Sequence, residues 1–136
     1  AALMWGLAHY LPGQAWAHPW RLPLTGVLAA LGLAADLAGI IAFRRHRTTV
    51  NPLAPHKSSN IVQDGIYRLS RNPMYLGMAL LLTAWAVWLS NPWCLLVLPL
   101  FVAAITRWQI LPEERILSAK FGAPYQDYLR RVRRWL

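Results

Sequence analysis

Two groups of polar residues in a mostly apolar chain have types and spacing that could bind a charged ligand. The first places Arg68, Arg71 and Asn72 just before Pro73. Pro73 suits the first turn of a helix with Asn72 as its N-cap, and a helix N-terminus offers free backbone donors to an anionic group. The alternative is an ordinary capped helix with flanking arginines, and spacing alone favours that alternative.

The second group is Glu113-Glu114, which follows Pro112 and supplies two of only five acids in the chain. A carboxylate pair could hold a cationic ligand. Alternatively, acids in the first turn of a helix simply interact favourably with its macrodipole. If both groups lie at one interface, their opposite charges suit a zwitterionic or cationic ligand.

Three further observations limit the chemistry. Asp36 lies in the middle of an apolar segment, where an acid is costly unless it faces the bundle or pairs; a pocket or helix-pairing role and a protonated packing role both stay open. The four histidines have no metal-ligand spacing and Cys94 is the only cysteine, so we expect no metal site and no disulfide. The sequence has no serine elbow, phosphate-binding loop or dinucleotide glycine motif.

The elements that must position these residues are apolar segments, and a membrane span needs about 20 residues. The segments are Ala1–Leu11 (the end of a first span), Leu24–Phe43, Pro73–Leu89 and Trp93–Leu111. Asn91-Pro92 predicts a tight turn between the last two. The tail from Pro112 to Leu136 is amphipathic and broken near Gly122 and Pro124. We therefore predict an all-α fold over residues 1–136: a single domain that is a multi-pass transmembrane helical bundle of about four spans, the last two a helical hairpin, with a C-terminal amphipathic helix.

The composition and the placement of charge agree with a membrane protein. Hydrophobic residues make up 57% of the chain and charged residues 14%, against about 25% charged in a typical soluble domain. The formal net charge is +9. All Lys and Arg except Arg21 lie in the loop 44–72 or from Arg107 onward, and the predicted path puts both regions on one face. The positive-inside rule makes that face cytoplasmic, and anionic lipid headgroups explain the charge better than nucleic acid does.

Several short motifs, in order, resemble those of the isoprenylcysteine carboxyl methyltransferase and phospholipid methyltransferase superfamily of membrane enzymes. The resemblance covers roughly residues 44–135, within the recognisable catalytic region 44–136. The motifs are Gly65-Ile66-Tyr67, Arg71-Asn72-Pro73-Met74-Tyr75-Leu76-Gly77, Asn91-Pro92, Glu113-Glu114 and Phe121-Gly122-Ala123-Pro124-Tyr125-Gln126-Asp127-Tyr128. Each motif is weak by itself, and their shared order and spacing are specific.

The resemblance implies an S-adenosylmethionine-dependent methyltransferase with a cytoplasmic cofactor site and a lipophilic or membrane-embedded acceptor. The cofactor contacts that it implies are Ser59, Asn60, Ile61, Val62, Tyr67, Asn72, Glu113 and Glu114. Asn72 and Ser59 stand where the carboxyl methyltransferases have His, and Gln109 stands where they have a substrate-binding Arg. We expect Glu113 and Tyr67 to hold the cofactor, and Arg107 and Arg71 to orient the acceptor.

Two other functions compete with this interpretation. Membrane reductases of related architecture use NADPH, and a small membrane protein could have no enzymatic role at all. We expect a multi-pass protein of a bacterial or archaeal cell membrane, with lipids and a lipophilic small molecule as partners and no nucleic acid. Whether the acceptor is a carboxylate, an amine, a thiol or a phospholipid headgroup stays open.

Overall fold

The computed structural model describes residues 1–12, 18–46 and 60–136, which form helices and no strands. The α-helices are α1 (Ala2–Tyr10), α2 (Arg21–Arg45), α3 (Pro73–Leu89), α4 (Val97–Ile105), α5 (Leu111–Phe121) and α6 (Ala123–Arg131). Short 3-10 helices cover Gly65–Arg68 and Pro92–Leu96, and a π-helical turn, Thr106–Ile110, joins α4 to α5. The prediction of an all-α fold is confirmed for these residues.

Two helices are long and apolar enough to cross a membrane. They are α2, with 25 residues, and the continuous helix Pro92–Phe121, with 30 residues. The apolar helix α3 has 17 residues and α1 has nine, so both are shorter than the about 20 residues that a span needs. The predicted count of four spans therefore stays a prediction.

Helices α2 and α3 pack closely because glycines on both face each other. The buried positions of α2 are Gly32, Ala35, Gly39 and Ala42. A Cβ on Gly32 would lie 2.9 Å from the carbonyl oxygen of Gly77, and a Cβ on Gly77 would lie 2.7 Å from that of Gly32. Small residues let two helix backbones approach in this way in apolar surroundings. The close approach fixes the position of α3, which carries half of the candidate site, relative to the end of α2.

The helix α3 and the turn after it have the predicted bounds. Pro73 occupies the first turn of α3, and Ser90 ends the helix in a left-handed conformation, with φ 53°. Asn91 Oδ1 then accepts a hydrogen bond of 3.0 Å from the backbone nitrogen of Trp93 and so starts the next helix. The Asn91-Pro92 turn is thereby confirmed. The short helix α1 packs on this hairpin, because buried Met4 contacts Ala86 and Cys94.

The fourth apolar segment differs from its prediction, because the helix does not end near Leu111. It continues through Pro112 to Phe121. A proline inside a helix lacks an N–H donor and crowds the carbonyl group four residues earlier. The π-helical turn Thr106–Ile110 lies just before Pro112, at the place where the regular ladder would have to adjust. The predicted break near Gly122 is confirmed, since Gly122 has φ 60° and separates α5 from α6.

Candidate functional site

Most of the site residues expected from the sequence meet where α2 ends, α3 begins and α5 starts. We call this region the basic end, since Arg44, Arg45, Arg68 and Arg71 lie there. The 3-10 helix Gly65–Arg68 connects the loop to α3, and α6 packs beside it.

Tyr67 lies at the centre of the basic end. Gly65 adopts φ 55°, a conformation that glycine takes at little cost, and this turn directs Tyr67 inward. The ring of Tyr67 meets that of Phe43 edge to face, with centroids 5.4 Å apart, and Tyr128 Oη donates a 2.9 Å hydrogen bond to the Tyr67 carbonyl. Both tyrosines are buried. Tyr67 is therefore held in place between the end of α2 and α6 by these two contacts.

Glu113 lies near Tyr67, in the first turn of α5. Its Oε2 accepts a hydrogen bond from Tyr75 Oη at 3.5 Å, and Gln109 also bonds to the Tyr75 side chain. Gln109 belongs to the π-helical turn. The irregular turn thus places Gln109 and Glu113 side by side opposite Tyr75.

Glu114 binds two arginines. Its Oε1 and Oε2 accept hydrogen bonds from Arg134 Nε and Nη2 at 3.0 and 2.8 Å, and its Oε1 lies 3.0 Å from Arg71 Nη1. The side chains of Arg71 and Glu114 are only 11% and 13% exposed. Bidentate, charge-assisted pairs of this kind are stronger and more directional than neutral hydrogen bonds. Glu114 therefore fastens the chain terminus to the start of α3.

The residues that follow α6 form what we call the C-terminal strap, residues 133–135. The carbonyl oxygen of Arg133 accepts a hydrogen bond from the backbone N–H of Arg71, and that of Arg134 accepts one of 2.9 Å from Asn72 Nδ2. Trp135 Nε1 donates to Thr106 Oγ1 in the π-helical turn, at 3.1 Å. The strap thus joins the start of α3 to the end of α4.

Asn72 is the N-cap residue of α3, as predicted, although its side chain does not make a capping hydrogen bond. The reason is that its amide nitrogen donates to the strap, while Ser70 Oγ accepts from its backbone nitrogen at 3.1 Å.

Of the remaining expected residues, some lie close to Tyr67 and others do not. Asn60 donates from Nδ2 to the His46 carbonyl at 3.1 Å, Val62 is buried against the Tyr67 cluster, and Ile61 is half-buried between them. Ser59 lies outside the described residues. Arg107 is exposed on the π-helical turn and makes no hydrogen bond or ion pair with any other residue in the described ranges.

Burial shifts the pKa of three tyrosines at the basic end. It raises the pKa of Tyr67, Tyr125 and Tyr128 above that of an ordinary phenol. For Tyr67 the neighbouring Tyr128 and Glu113 raise it further. These hydroxyl groups therefore stay protonated at neutral pH, and that of Tyr128 donates to the Tyr67 carbonyl. At Arg134, the hydrogen bond with Glu114 raises the guanidinium pKa.

One donor at the basic end has no partner in the described chain. Arg71 Nε is buried and forms no hydrogen bond, although the same guanidinium pairs with Glu114. An unsatisfied buried donor costs about 1–3 kcal/mol. Arg71 Nε, a donor, and the Glu113 carboxylate, an acceptor, thus both lie at the basic end.

Sequence reasoning missed Tyr75, Gln109 and Arg134. The first belongs to a motif already noted, but nothing in the spacing indicated that its hydroxyl would reach Glu113. The pairing of Gln109 depends on the π-helical turn, and that of Arg134 depends on the path of the strap. Neither has a sequence signal.

Comparisons with known proteins agree on one family. The family described as "Phospholipid methyltransferase" matches residues 20–124. A Haemophilus influenzae protein described as uncharacterized is 44% identical over 63 residues, which cover 46% of this chain and all of that protein. Protein-S-isoprenylcysteine O-methyltransferases B and A of Arabidopsis thaliana are 26% and 27% identical over 115 residues, 85% of this chain. The chain spans 58% of the length of each of these two plant enzymes. No solved structure matches.

Proposed function

We propose, from the premise that this chain belongs to the phospholipid methyltransferase family, that it transfers a methyl group from S-adenosylmethionine to a lipophilic acceptor. The acceptor is membrane-embedded or lipid-like and meets the basic end at the membrane surface. The buried Nε of Arg71, which has no hydrogen-bond partner among the described residues, is the observation that carries the proposal.

The residues of the basic end fit this methyl donor. Its amino-acid portion carries one carboxylate and one ammonium group. Arg71 Nε is a free donor for the carboxylate, and Glu113 is an acceptor for the ammonium group. The burial and the ion pair of Arg71 favour this role over the acceptor-orienting role expected from the sequence.

The bound donor supplies an electrophilic methyl group on a sulfonium, whose departure leaves a neutral thioether and needs no acid. The chain therefore contributes mainly alignment and exclusion of water. Tyr67 and Tyr128 form a buried, hydrogen-bonded pair that keeps water out, and we assign Val62, which packs against Tyr67, and the preceding Asn60 and Ile61 to the cofactor site. Asn72 and Glu114 act indirectly, because both hold the strap across the start of α3.

We assign acceptor orientation to Arg107. Its side chain is exposed at the level of the π-helical turn, nearly two helical turns before the acidic pair. A cation there can attract a polar acceptor at the membrane surface. By the positive-inside rule we place this surface in the cytoplasm.

Binding of the methyl donor tests the proposal directly. Isothermal titration calorimetry on detergent-solubilised protein should detect S-adenosylmethionine and no binding of NADPH. Glu113→Gln should weaken the affinity about tenfold or more, as expected for the loss of a charged hydrogen bond. Asp127→Asn is the matched control, since Asp127 is exposed and, among the described residues, its carboxylate pairs with Arg130 of α6 alone. Equal affinity of Glu113→Gln and the parent would contradict the role of Glu113, and binding of NADPH alone would favour a reductase.

A further inference from the structure

Asp36 is an acid in the interior of α2 that the proposed function does not use. Among the described residues it is the only Asp or Glu between Arg21 and Arg45, and that helix is long and apolar enough to cross a membrane. Its Oδ1 is buried and has no hydrogen-bond partner there. An aspartate at the centre of a membrane helix costs about 2.5–3.5 kcal/mol by insertion measurements, and such residues commonly mark binding sites or proton pathways.

The contacts of Asp36 place its carboxyl group in the seam between α2 and α3. A Cβ added to Gly77 would collide with Asp36 Oδ1, so the absence of a side chain at Gly77 makes room for the carboxyl group. The side chain of Asp36 is only half-buried, and its neighbours Leu33 and Leu37 are exposed on the outer surface of α2. One oxygen of the carboxyl group therefore lies in the seam, while the side chain as a whole is partly exposed on the lipid side.

This carboxyl group lies one helical turn deeper than the candidate site. Asp36 precedes Gly39 by three residues, and Gly77 follows Met74 by three, which is a rise of about 4.5 Å on each helix. A Cβ on Gly39 would lie 2.7 Å from Met74 Cγ and 3.6 Å from Tyr67 Oη. The layer of Asp36 and Gly77 is thus adjacent to the layer that contains the Tyr67 hydroxyl.

We propose that Asp36 is the polar anchor of a second, lipid-side binding site, which takes the head of an amphiphile that donates hydrogen bonds and carries no negative charge. A donor head bonds to the carboxyl group of Asp36 from the lipid side of the seam, and the chain of the amphiphile lies along the exposed leucines of α2. A carboxylate head is rejected, because two unscreened negative charges would meet in a medium of low dielectric constant. The identification of this amphiphile as the methyl acceptor rests on the proposed function. Its binding at Asp36 does not depend on that function.

Binding without the methyl donor tests this site. The protein is placed in phosphatidylcholine nanodiscs, and tritiated dodecylamine is measured by scintillation proximity with empty nanodiscs as background. Saturable binding is expected, with affinity reduced at least tenfold in Asp36→Asn and unchanged in Asp127→Asn. Dodecanol should compete more weakly than unlabelled dodecylamine, and dodecanoate should not compete. Unchanged affinity in Asp36→Asn, or competition by dodecanoate equal to that of dodecylamine, would overturn the proposal.

A second measurement needs no variant and so does not depend on one folding. The hydrophobic carbodiimide DCCD modifies carboxyl groups reached from lipid, and mass spectrometry locates the adduct. We expect labelling of Asp36 that dodecylamine suppresses and dodecanoate does not. No suppression by dodecylamine would refute the site. Dodecylamine binding without any affinity for S-adenosylmethionine would instead contradict the proposed function and leave this site standing.

Discussion

Replacement of Glu114 by glutamine should release the C-terminal strap from the start of α3. Glu114 accepts two hydrogen bonds from Arg134, at 3.0 and 2.8 Å, and pairs with Arg71 at 3.0 Å. Removal of one partner from a fully buried ion pair costs about 3–5 kcal/mol. The side chains here are partly exposed, 34% for Arg134 and 11% for Arg71, so solvent reduces the cost to about 2–3 kcal/mol. That range corresponds to a roughly 30- to 150-fold increase in the opening of the strap.

Limited trypsin digestion with mass spectrometry measures this opening as cleavage after Arg134. When opening is fast relative to cleavage, the cleavage rate follows the population of the open form. Glu113→Gln is the matched control, because Glu113 accepts its hydrogen bond from Tyr75 and, among the described residues, forms no ion pair with the strap. The reasoning is refuted if Glu114→Gln is cleaved at the parental rate, since Glu114 would then not hold the strap.

Further predictions concern the packing and the tyrosines. Gly77→Ala should lower the thermal stability by about 1–3 kcal/mol, because its Cβ would lie 2.7 Å from the Gly32 carbonyl; a melting temperature equal to the parent's would contradict the close helix contact. Tyr128→Phe should cost about 1–3 kcal/mol in chemical denaturation, because the buried Tyr67 carbonyl loses its donor; no loss would mean that another donor replaces it. Since folding raises the pKa of Tyr67, Tyr125 and Tyr128, the unfolded chain binds fewer protons above pH about 10 and stability should fall as pH rises there. Ultraviolet titration should then show these tyrosines ionising together with unfolding, and earlier ionisation in the folded protein would contradict their burial.

The sequence predicts the helices well where local signals are strong. Pro73, the Asn91-Pro92 turn and Gly122 each act through their own backbone preferences, and the structure has a helix start, a helical hairpin and a break at those positions. The fourth apolar segment was predicted to end near Leu111, but the helix continues to Phe121. The π-helical turn before Pro112 accommodates that proline, and no pattern of residue types indicates it.

The charge pattern predicts which residues meet at the basic end but not how they pair. Glu113 and Glu114 are adjacent and alike in sequence, yet one contacts Tyr75 and the other binds Arg71 and Arg134. Their difference arises because successive helical residues point about 100° apart and the strap reaches only one of them. Long-range placement of a chain terminus leaves no local signal, so this division could come only from the structure.

Methyl transfer itself tests the central claim most directly. The protein is incubated with S-adenosylmethionine labelled in its methyl group and with a membrane lipid extract, and the labelled product is separated and identified. The proposed function predicts label in a lipid-soluble product that depends on the parent protein and falls at least tenfold in Glu113→Gln, with Asp127→Asn at the parental rate. Saturating binding of the methyl donor with no label in any lipid-soluble product would contradict methyl transfer to a lipophilic acceptor.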